Sequence, residues 1–287
     1  MGLEKGGTEV TVTGLCRAAG FSRQAFYQER RARPRRAVAE DAVVELVKAQ
    51  RRIHPRCGAR KLHQCLREDL AEMGIELGRD RLFDLLRLRG LLVKRPRGGA
   101  RTTNSRHCFH TWPNLIRNIV PSMPHQVWVC DLTYIRTDTG FLYLSLVTDA
   151  YSRKIVGYCA QDTLESEGCM KALAMAFAQL PEDAKPIHHS DRGTQYCCGA
   201  YVGALERRGC PISMTEQNHC YENAMAERVN GILKQEYGLG RTFADRKQGA
   251  QVARQAVGIY NDLRLHTSLG YRTPSSVHAQ PARERAA

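Results

Sequence analysis

The sequence predicts an α/β protein, in which a mixed sheet with flanking helices follows an all-α helix-turn-helix region. The charge distribution is the first observation behind this prediction: residues 1–120 hold 25 Lys and Arg against 12 Asp and Glu, whereas residues 121–287 hold 18 against 17. The second is a change of apolar pattern near Pro121, from helical spacing to near-continuous apolar strands. At about 150 residues per domain, a chain of 287 residues suggests two domains.

Composition also narrows the class of protein. No apolar run reaches the roughly 18 residues of a membrane span, and the N-terminus lacks the charged-then-apolar layout of a secretion signal. Eleven cysteines, odd in number and mostly scattered singly, indicate reduced thiols. We therefore expect a soluble cytoplasmic protein with no membrane partner. The net charge of +13 in residues 1–120 predicts nucleic acid as a partner, with a merely soluble basic surface as the alternative.

A first, short helix-turn-helix unit is predicted in residues 1–36. The stretch "LCRAAGFSRQAFYQERR" (15–31) reads as two short helices that are separated at Gly20. The hydroxyl of Ser22 is placed to cap the second helix. An Arg-rich link, "RRARPRR" (30–36), follows this unit.

A second helix-turn-helix unit, predicted as a DNA-binding domain, covers residues 37–97. It begins with a helix near 38–52 and continues as two amphipathic helices, which end near Gly74 and Gly90. Their apolar stripes comprise Leu62, Cys65, Leu66, Leu70, Leu82, Leu85 and Leu86. Basic side chains off these stripes are the expected contacts to phosphates or bases, unless they are ordinary solvated residues. The candidates are Arg60, Lys61, Arg79, Arg81, Arg87 and Arg89.

Residues 95–120 contain Pro96, Gly98, Gly99 and Pro113 with little periodicity, and residues 98–120 are predicted to be a linker. The remainder, residues 121–287, begins with three strands joined by short connections, as in an antiparallel meander. A helix, a further strand and another helix follow, and the helix after the fourth strand is expected to be capped by Thr194. The predicted elements are one strand in 126–135, two strands in 141–160 and one strand in 185–190, with helices in 166–180 and 194–209.

Two aspartates stand out in these strands. Asp131 interrupts an apolar strand, where an isolated carboxylate is unfavourable unless it is paired or bound to a cation, so we expect a positive group beside it. Asp191 stands where the fourth strand ends and its turn begins, a position from which its side chain can reach over the sheet. Either aspartate could instead be a capped or salt-bridged structural residue.

A third acid comes from the helix within "NHCYENAMAERVNGILKQE" (218–236). At about 100° per residue, Glu227, Asn230 and Lys234 share a polar face opposite an apolar one. The other two glutamates of this stretch lie on the apolar side or precede the helix, so Glu227 is the candidate for catalysis. Lys234 suits a DNA phosphate beside a metal-bound carboxylate, with a solvated helix face as the alternative.

Three carboxylates without a histidine-rich ligand set suit Mg²⁺ or Mn²⁺, because these ions prefer oxygen ligands. Two such ions about 4 Å apart can activate an attacking oxygen and stabilise the leaving oxygen in phosphoryl transfer. The sequence therefore predicts that Asp131, Asp191 and Glu227 together hold two divalent ions.

Thirty-five residues separate Asp191 from Glu227, and distinctive sequence motifs surround both acids. The order of these motifs resembles that in the second open reading frame product of IS3-family insertion-sequence transposases. The motifs are "WVCDLTYI", "VTDAYSRKIVGY", "HSDRGTQY" and "YNDLRLHTSLGYRTPSSV". The resemblance covers nearly the whole chain. One departure is Leu265, where many members of that family have a proline between Arg and His.

This resemblance implies a ribonuclease-H-like fold with a mixed five-stranded sheet, and an integrase-like catalytic core with a C-terminal helix and tail in residues 121–287. It also implies that Asp131, Asp191 and Glu227 are the catalytic metal ligands and that Lys234 contacts DNA. Asn230, on the same helix face, is included among the expected DNA contacts.

The expected activity is that of a DNA transposase, namely metal-dependent end cleavage and strand transfer of an insertion sequence. The expected partners are DNA, further copies of this chain, and an upstream frame product that is joined to it by frameshifting. The expected location is the bacterial cytoplasm, in association with the nucleoid. The alternatives are a catalytically silent DNA-binding regulator derived from such a transposase and a structure-specific DNA nuclease.

Overall fold

The computed structural model describes residues 11–93, 110–216 and 223–280. The first part contains five helices in these ranges: α1 (Val12–Ala19), α2 (Arg23–Ile53), α3 (Ala59–Cys65), α4 (Arg67–Glu72) and α5 (Arg79–Leu88). The second part contains strands β1 (Val127–Thr137), β2 (Gly140–Asp149), β3 (Ile155–Gln161), β4 (Ile187–Ser190) and β5 (Ile212–Met214). Its helices are α6 (Ser166–Phe177), α7 (Thr194–Cys197), α8 (Gly199–Arg207), α9 (Ala224–Glu236), α10 (Arg246–Asp262) and α11 (Pro274–His278). No helix in the described ranges is both long and apolar enough to cross a membrane.

The break between α1 and α2 confirms the first predicted turn. Gly20 ends α1 in the left-handed region, at φ 74°, and Ser22 Oγ accepts a hydrogen bond of 3.1 Å from the backbone N–H of Ala25. The predicted Arg-rich link is wrong, because α2 runs without interruption from Arg23 to Ile53. Arg and Ala favour helix, and the proline at position 34 does not end it. The boundary predicted at residue 36 therefore falls inside α2.

The second half of α2 packs against α3, α4 and α5. The predicted leucines of the two stripes are all buried, and they meet three valines of α2 in one apolar cluster. The first predicted helix is divided at Leu66 into α3 and α4, and Gly74 and Gly90 take the left-handed conformation after α4 and α5. The core of this cluster consists of Val43, Val44, Val47, Cys57, Leu62, Leu66, Leu70, Leu82, Leu85 and Leu86.

The five strands form one mixed sheet in the order β3-β2-β1-β4-β5. The pairs β1–β2 and β2–β3 are antiparallel, whereas the pairs β1–β4 and β4–β5 are parallel. Alternate side chains of β1 face opposite sides, so Trp128 and Cys130 pack with α6 and α8, whereas Ile135 packs with α9 and α10. This arrangement confirms the predicted five-stranded, ribonuclease-H-like sheet with helices on both faces.

Two predictions about connections are wrong. Residues 110–120, the described part of the predicted linker, pack on the edge of the sheet at β5. The backbone N–H of Leu115 donates to Ser213 Oγ at 2.9 Å, and that of Met214 donates to the carbonyl of Pro113 at 3.4 Å. Thr194 is the first residue of α7 and makes no cap, because Gly193 occupies the N-cap position. Residues 98–109 lie outside the described ranges.

The basic helical part contacts the C-terminal end of α9. Lys61 Nζ lies 3.7 Å from Glu236 Oε1, and His54 Nδ1 lies 3.2 Å from the hydroxyl of Tyr237. Glu236 also forms two hydrogen bonds of 2.8 Å with the guanidinium of Arg264, the residue that follows α10 by two positions. The two parts of the chain therefore meet at a polar contact on the helix that carries Glu227.

Candidate active site

The strand register places two of the predicted acids side by side. In the parallel pair β1–β4, Cys130 is opposite Ser190, so that Asp131 and Asp191 each follow a paired residue on neighbouring strands. Asp191 lies just beyond the end of β4, where its Oδ1 accepts a hydrogen bond of 3.0 Å from the backbone N–H of Gly193. A β-carbon at position 193 would stand 3.0 Å from that same oxygen, so a glycine fits this tight turn.

Asp131 is held by neutral donors. Its Oδ2 accepts a hydrogen bond of 2.7 Å from Asn230 Nδ2, and its Oδ1 accepts one of 2.9 Å from the backbone N–H of Leu132. Burial raises the pKa of Asp131 to about 7, and the negative charge of Asp191 acts in the same direction, whereas the Asn230 hydrogen bond opposes it. Adjacent acids in a site that penalises their charge favour the binding of cations.

The expected positive group near Asp131 is Lys234, on the third turn of α9. The charges of Lys234 and Asp131 interact, but the pKa of Lys234 is lowered because burial outweighs that attraction, with Arg136 adding to the decrease. Lys234 is half-buried, and it lies two turns beyond Glu227 on the same helix. It is thus placed between the sheet and solvent, beside the acidic site.

The buried and exposed sides of helix α9 are as predicted, except at Asn230. Val229, Ile232 and Leu233 are buried in the core, and Glu227 is exposed. Asn230, predicted to contact DNA, is only 5% exposed and donates to Asp131. The amide of Asn230 thus faces the carboxylate of Asp131 in β1, and its contact with DNA stays a prediction.

The third acid stands apart from the other two. In the described ranges, no group of three His, Cys, Asp or Glu side chains is close enough to hold a metal ion. Glu227 is near, however, since its negative charge contributes to the raised pKa of Asp131, after burial, Asp191 and the hydrogen bonds. Residues three apart on a helix have β-carbons about 5–6 Å apart, so Glu227 is adjacent to the Asn230 that touches Asp131.

Asn223 is part of the site and was not predicted. It precedes α9, and its side-chain Nδ2 donates to the backbone carbonyl of Cys130 at 3.2 Å, although the residue makes no side-chain cap. Asn223 is buried, and its contact lies one residue before Asp131. The start of the helix that carries Glu227 is thereby joined to β1. An asparagine before a helix signals a cap in sequence, but not a contact with a distant strand.

The remaining glutamates of this region do not contribute. Glu236 is paired with Arg264 and Lys61, as its place on the apolar side of the helix had excluded it from catalysis. Glu222 lies outside the described residues. Lys61 was predicted to contact DNA; its side chain is 21% exposed and faces Glu236 of α9, and its contact with DNA stays a prediction. Arg60, its neighbour, is exposed.

The arginines of α5 and its C-terminal end lie on the surface, each beside an acid. Arg81 and Arg89 reach across to α2, where they pair with Glu40 and Asp41. The other two pairs, Arg79 with Asp80 and Arg87 with Asp84, lie within α5. These side chains are exposed and can exchange their carboxylate partners for phosphates, so their contact with DNA stays a prediction.

Comparisons with known proteins fit this geometry. Family models described as integrase core domain match residues 121–220 and 208–274. The chain is 37% identical over 266 residues to a 31 kDa protein of insertion element IS600 from Shigella sonnei, covering 91% of this chain and 96% of that protein. It is 30% identical over 278 residues to the transposase InsF of IS3A from Escherichia coli (strain K12), covering 95% of each.

Among solved structures, the simian T-cell lymphotropic virus intasome in complex with PP2A regulatory subunit B56 gamma is similar, with a TM-score of 0.47 and 17% identity over 79% of this chain and 72% of that one. The HTLV-2 integrase catalytic core domain in complex with magnesium has a TM-score of 0.44 and 18% identity, over 54% of this chain and 97% of that one. The sequence matches, which span most of the chain and of its relatives, show that it belongs to the IS3 family of insertion-sequence transposases.

Proposed function

We propose that this chain cleaves DNA at the ends of its insertion sequence and joins the freed 3′ ends to target DNA. Asp131, Asp191 and Glu227 are its catalytic acids and hold Mg²⁺ or Mn²⁺, as two ions. The observation that supports this assignment best is the adjacent pair of acids on β1 and β4, in which burial and Asp191 raise the pKa of Asp131 to about 7. Such a pair is stabilised by bound cations.

The donors of the site fit a hard divalent cation. All three candidate ligands are carboxylates, and Mg²⁺ and Mn²⁺ prefer oxygen. Each ionised carboxylate has about four lone-pair positions, of which the hydrogen bonds to Asp131 and Asp191 described above use only some. When bound, the metal ions would activate the attacking oxygen and stabilise the leaving one. The third ligand requires Glu227 to turn towards the aspartates.

The protein's own groups supply orientation and charge. Asn230 and the Leu132 N–H fix the carboxylate of Asp131, and the Gly193 N–H fixes that of Asp191. Lys234 is placed to contact a backbone phosphate beside them. Arg60 of α3 and the arginines of α5 add further phosphate contacts, so that DNA affinity should fall steeply with salt as counterions are released.

A strand-transfer assay tests this proposal. The full chain is incubated with Mg²⁺ and a duplex that carries the terminal repeat of the element, and joined products are counted. The variants Asp131→Asn, Asp191→Asn and Glu227→Gln are expected to lose joining while they retain DNA binding. Asp183→Asn, which changes an exposed acid after α6, should leave joining unchanged.

The outcomes also separate the alternative functions. Undiminished joining by the three variants would overturn the assignment of the acids. A Mg²⁺-independent footprint on the terminal repeat, with no cleavage by the unaltered chain, would instead identify a silent regulator. Nicking of branched DNA without any joining would identify a structure-specific nuclease.

A further inference from the structure

The β1–β2 hairpin extends beyond β4 at the candidate active site. Pairing of β1 with β4 stops at Cys130 and Ser190, whereas pairing with β2 continues to Thr137 and Gly140. Asp131 is the first residue of β1 beyond the β4 pairing. The hairpin that follows it therefore projects past the two aspartates.

One face of this projecting hairpin is covered and the other carries exposed rings. On the first face, Ile135 and Leu142 are buried against α9 and α10. On the second face, the hydroxyl of Ser145 lies 3.3 Å from Cys169 Sγ near the start of helix α6. Two residues earlier in β2, Tyr143 forms the last pair with β3, opposite Gln161, and Phe141 lies beyond that pairing.

Three aromatic residues occupy this second face, and we term them the aromatic shelf: Tyr134, Phe141 and Tyr143. Tyr134 pairs across the strands with Tyr143, with ring centroids 5.3 Å apart, and lies diagonal to Phe141 at 6.0 Å, both in edge-to-face geometry. Tyr134 is 37% exposed and Phe141 is 45% exposed. Isolated exposed rings are common on soluble proteins, whereas a contiguous set marks a binding surface more often.

The shelf lies close to the aspartates and to positive charge. Tyr134 follows Asp131 by three residues, about 10 Å along β1, so the two side chains leave opposite faces of the strand, at the edge of β1 that β4 no longer pairs with. Burial raises the pKa of Tyr134, followed by the effects of Tyr143 and of the negative charge of Asp191, so the phenol is within electrostatic range of Asp191. Arg136, exposed and opposite Phe141 in the register, adds a cation beside the rings.

We propose that the aromatic shelf binds an unpaired nucleobase of the DNA strand whose phosphodiester lies at Asp131 and Asp191. This inference rests on the proposed function, because it takes the position of the scissile phosphate from it. A distance of about 10 Å corresponds to about three base steps of 3.4 Å. Aromatic rings stack on any base, so the shelf holds unpaired nucleotides without reading their sequence. Stacking there offsets part of the energy of unpairing the end of a duplex.

Photocrosslinking tests the position of the base. The full chain is bound, without divalent metal, to a terminal-repeat duplex with a short single-stranded overhang that contains 5-iodouracil, and the crosslinked peptide is identified by mass spectrometry. We expect crosslinks to the peptide that contains Tyr134 and Phe141, both in the unaltered chain and in Asp131→Asn. Crosslinks confined to other peptides would overturn the proposal.

Affinity measurements test the stacking itself. Tyr134→Ala should weaken binding of the overhang duplex on the order of tenfold, as expected for a lost base–ring stack, and should leave binding of the blunt duplex unchanged. Tyr134→Phe keeps the ring and should bind as the unaltered chain does, as should Met175→Ala, which removes an exposed apolar side chain of α6. An overhang of abasic sites should remove the difference between Tyr134→Ala and the unaltered chain.

The same affinity measurements can contradict the proposed stacking of a base on the aromatic shelf. An equal loss for blunt and overhang duplexes, or a loss in Tyr134→Phe as large as in Tyr134→Ala, would contradict stacking. The binding and crosslinking steps need no catalysis. They can therefore fail while the three acid variants are inactive as expected, or succeed while those variants remain active, so this inference and the proposed function are tested separately.

Discussion

The side-chain amide of Asn230 donates a hydrogen bond of 2.7 Å to Oδ2 of Asp131, although 99 positions separate the two residues in the chain. The bond joins the helix that carries Glu227 and Lys234 to the strand that carries Asp131. Because Asn230 is buried, its contribution is made through the carboxylate it contacts. We infer that Asn230 is a positioning residue, which fixes the orientation of Asp131 and the distance between α9 and β1.

Replacement of Asn230 should therefore affect the reaction more than DNA binding. Asn230→Ala removes a hydrogen bond that favours the ionised form of Asp131, and loss of such a partner of a ligand typically reduces activity by about 10- to 100-fold. We expect that decrease in strand transfer, with unchanged affinity for the terminal duplex. Gln235→Ala, an exposed change on the same helix, serves as the control. A parallel fall in DNA affinity would show that Asn230 contacts DNA after all.

Asn223 should contribute to stability through its contact with β1. Asn223→Ala leaves the carbonyl of Cys130 without this donor, and loss of a buried hydrogen bond costs about 1–3 kcal/mol. We expect a decrease of that size in the free energy of unfolding, measured by urea titration. Asn118→Ala, in an exposed position, should change it by less than about 0.5 kcal/mol. Equal stability of the two variants would remove Asn223 from the joint between α9 and β1.

The sequence was informative wherever a local pattern determines structure. Apolar alternation and runs predicted the β1–β2–β3 meander, and the leucine spacing predicted the core of the helical part, because burial of one face is a property of each element alone. The isolated polar position of Asp131 in an apolar strand identified it as unusual. These features need no knowledge of which elements are neighbours.

Contacts between distant segments could not be predicted from the sequence. Asn230 has a polar-face position in the helix, and only the placement of α9 on β1 shows that this position faces Asp131. Lys61 is a basic residue of a basic unit, but its partner Glu236 lies 175 positions later. Residues 110–120 lack periodicity because they follow the edge of the sheet, and such segments resemble linkers in sequence.

The Glu236–Arg264 pair should stabilise the packing of the C-terminal end of α9 against the segment that follows α10. Arg264 is 5% exposed in its side chain, so Glu236→Ala leaves a buried guanidinium without its carboxylate, which costs about 3–5 kcal/mol. Burial opposes ionisation of Glu236, but Arg264 and Lys61 lower its pKa below the ordinary value of 4.5. A lowered pKa stabilises the folded state above the unfolded value, and this stabilisation is lost as the pH falls through the folded value.

The stability difference between the unaltered chain and Glu236→Gln should consequently be constant at neutral pH and shrink below about pH 4.5. Urea titrations at a series of pH values measure it. A difference that grows on acidification would contradict the assigned direction of the pKa shift. Lys171→Ala, which removes a surface ion pair with Glu167, provides a control with an effect of at most about 1 kcal/mol.

Arg60 and Lys61 should differ in their effect on DNA binding, although they are neighbours. Arg60 is exposed, whereas Lys61 faces Glu236. If Arg60 neutralises one phosphate, Arg60→Ala should reduce the slope of log affinity against log salt by about 1. Lys61→Ala should leave this slope unchanged. Fluorescence anisotropy of a labelled duplex at several salt concentrations measures both, and equal slopes for the two variants would refute the distinction.

The packing of β3 against α6 makes one glycine irreplaceable. A β-carbon at Gly157 would stand 2.0 Å from the carbonyl oxygen of Ala172 and 3.0 Å from the backbone nitrogen of Ala176. Because both contacts are backbone, a side-chain rotation cannot relieve them, and Gly157→Ala should destabilise the fold by about 1–3 kcal/mol or more. Gly258→Ala, at an exposed position of α10 with nothing within 4 Å, should instead stabilise it by up to about 1 kcal/mol. Urea unfolding of both variants measures the two changes in the free energy of unfolding. An unchanged free energy of unfolding in Gly157→Ala would show that α6 lies further from β3 than described.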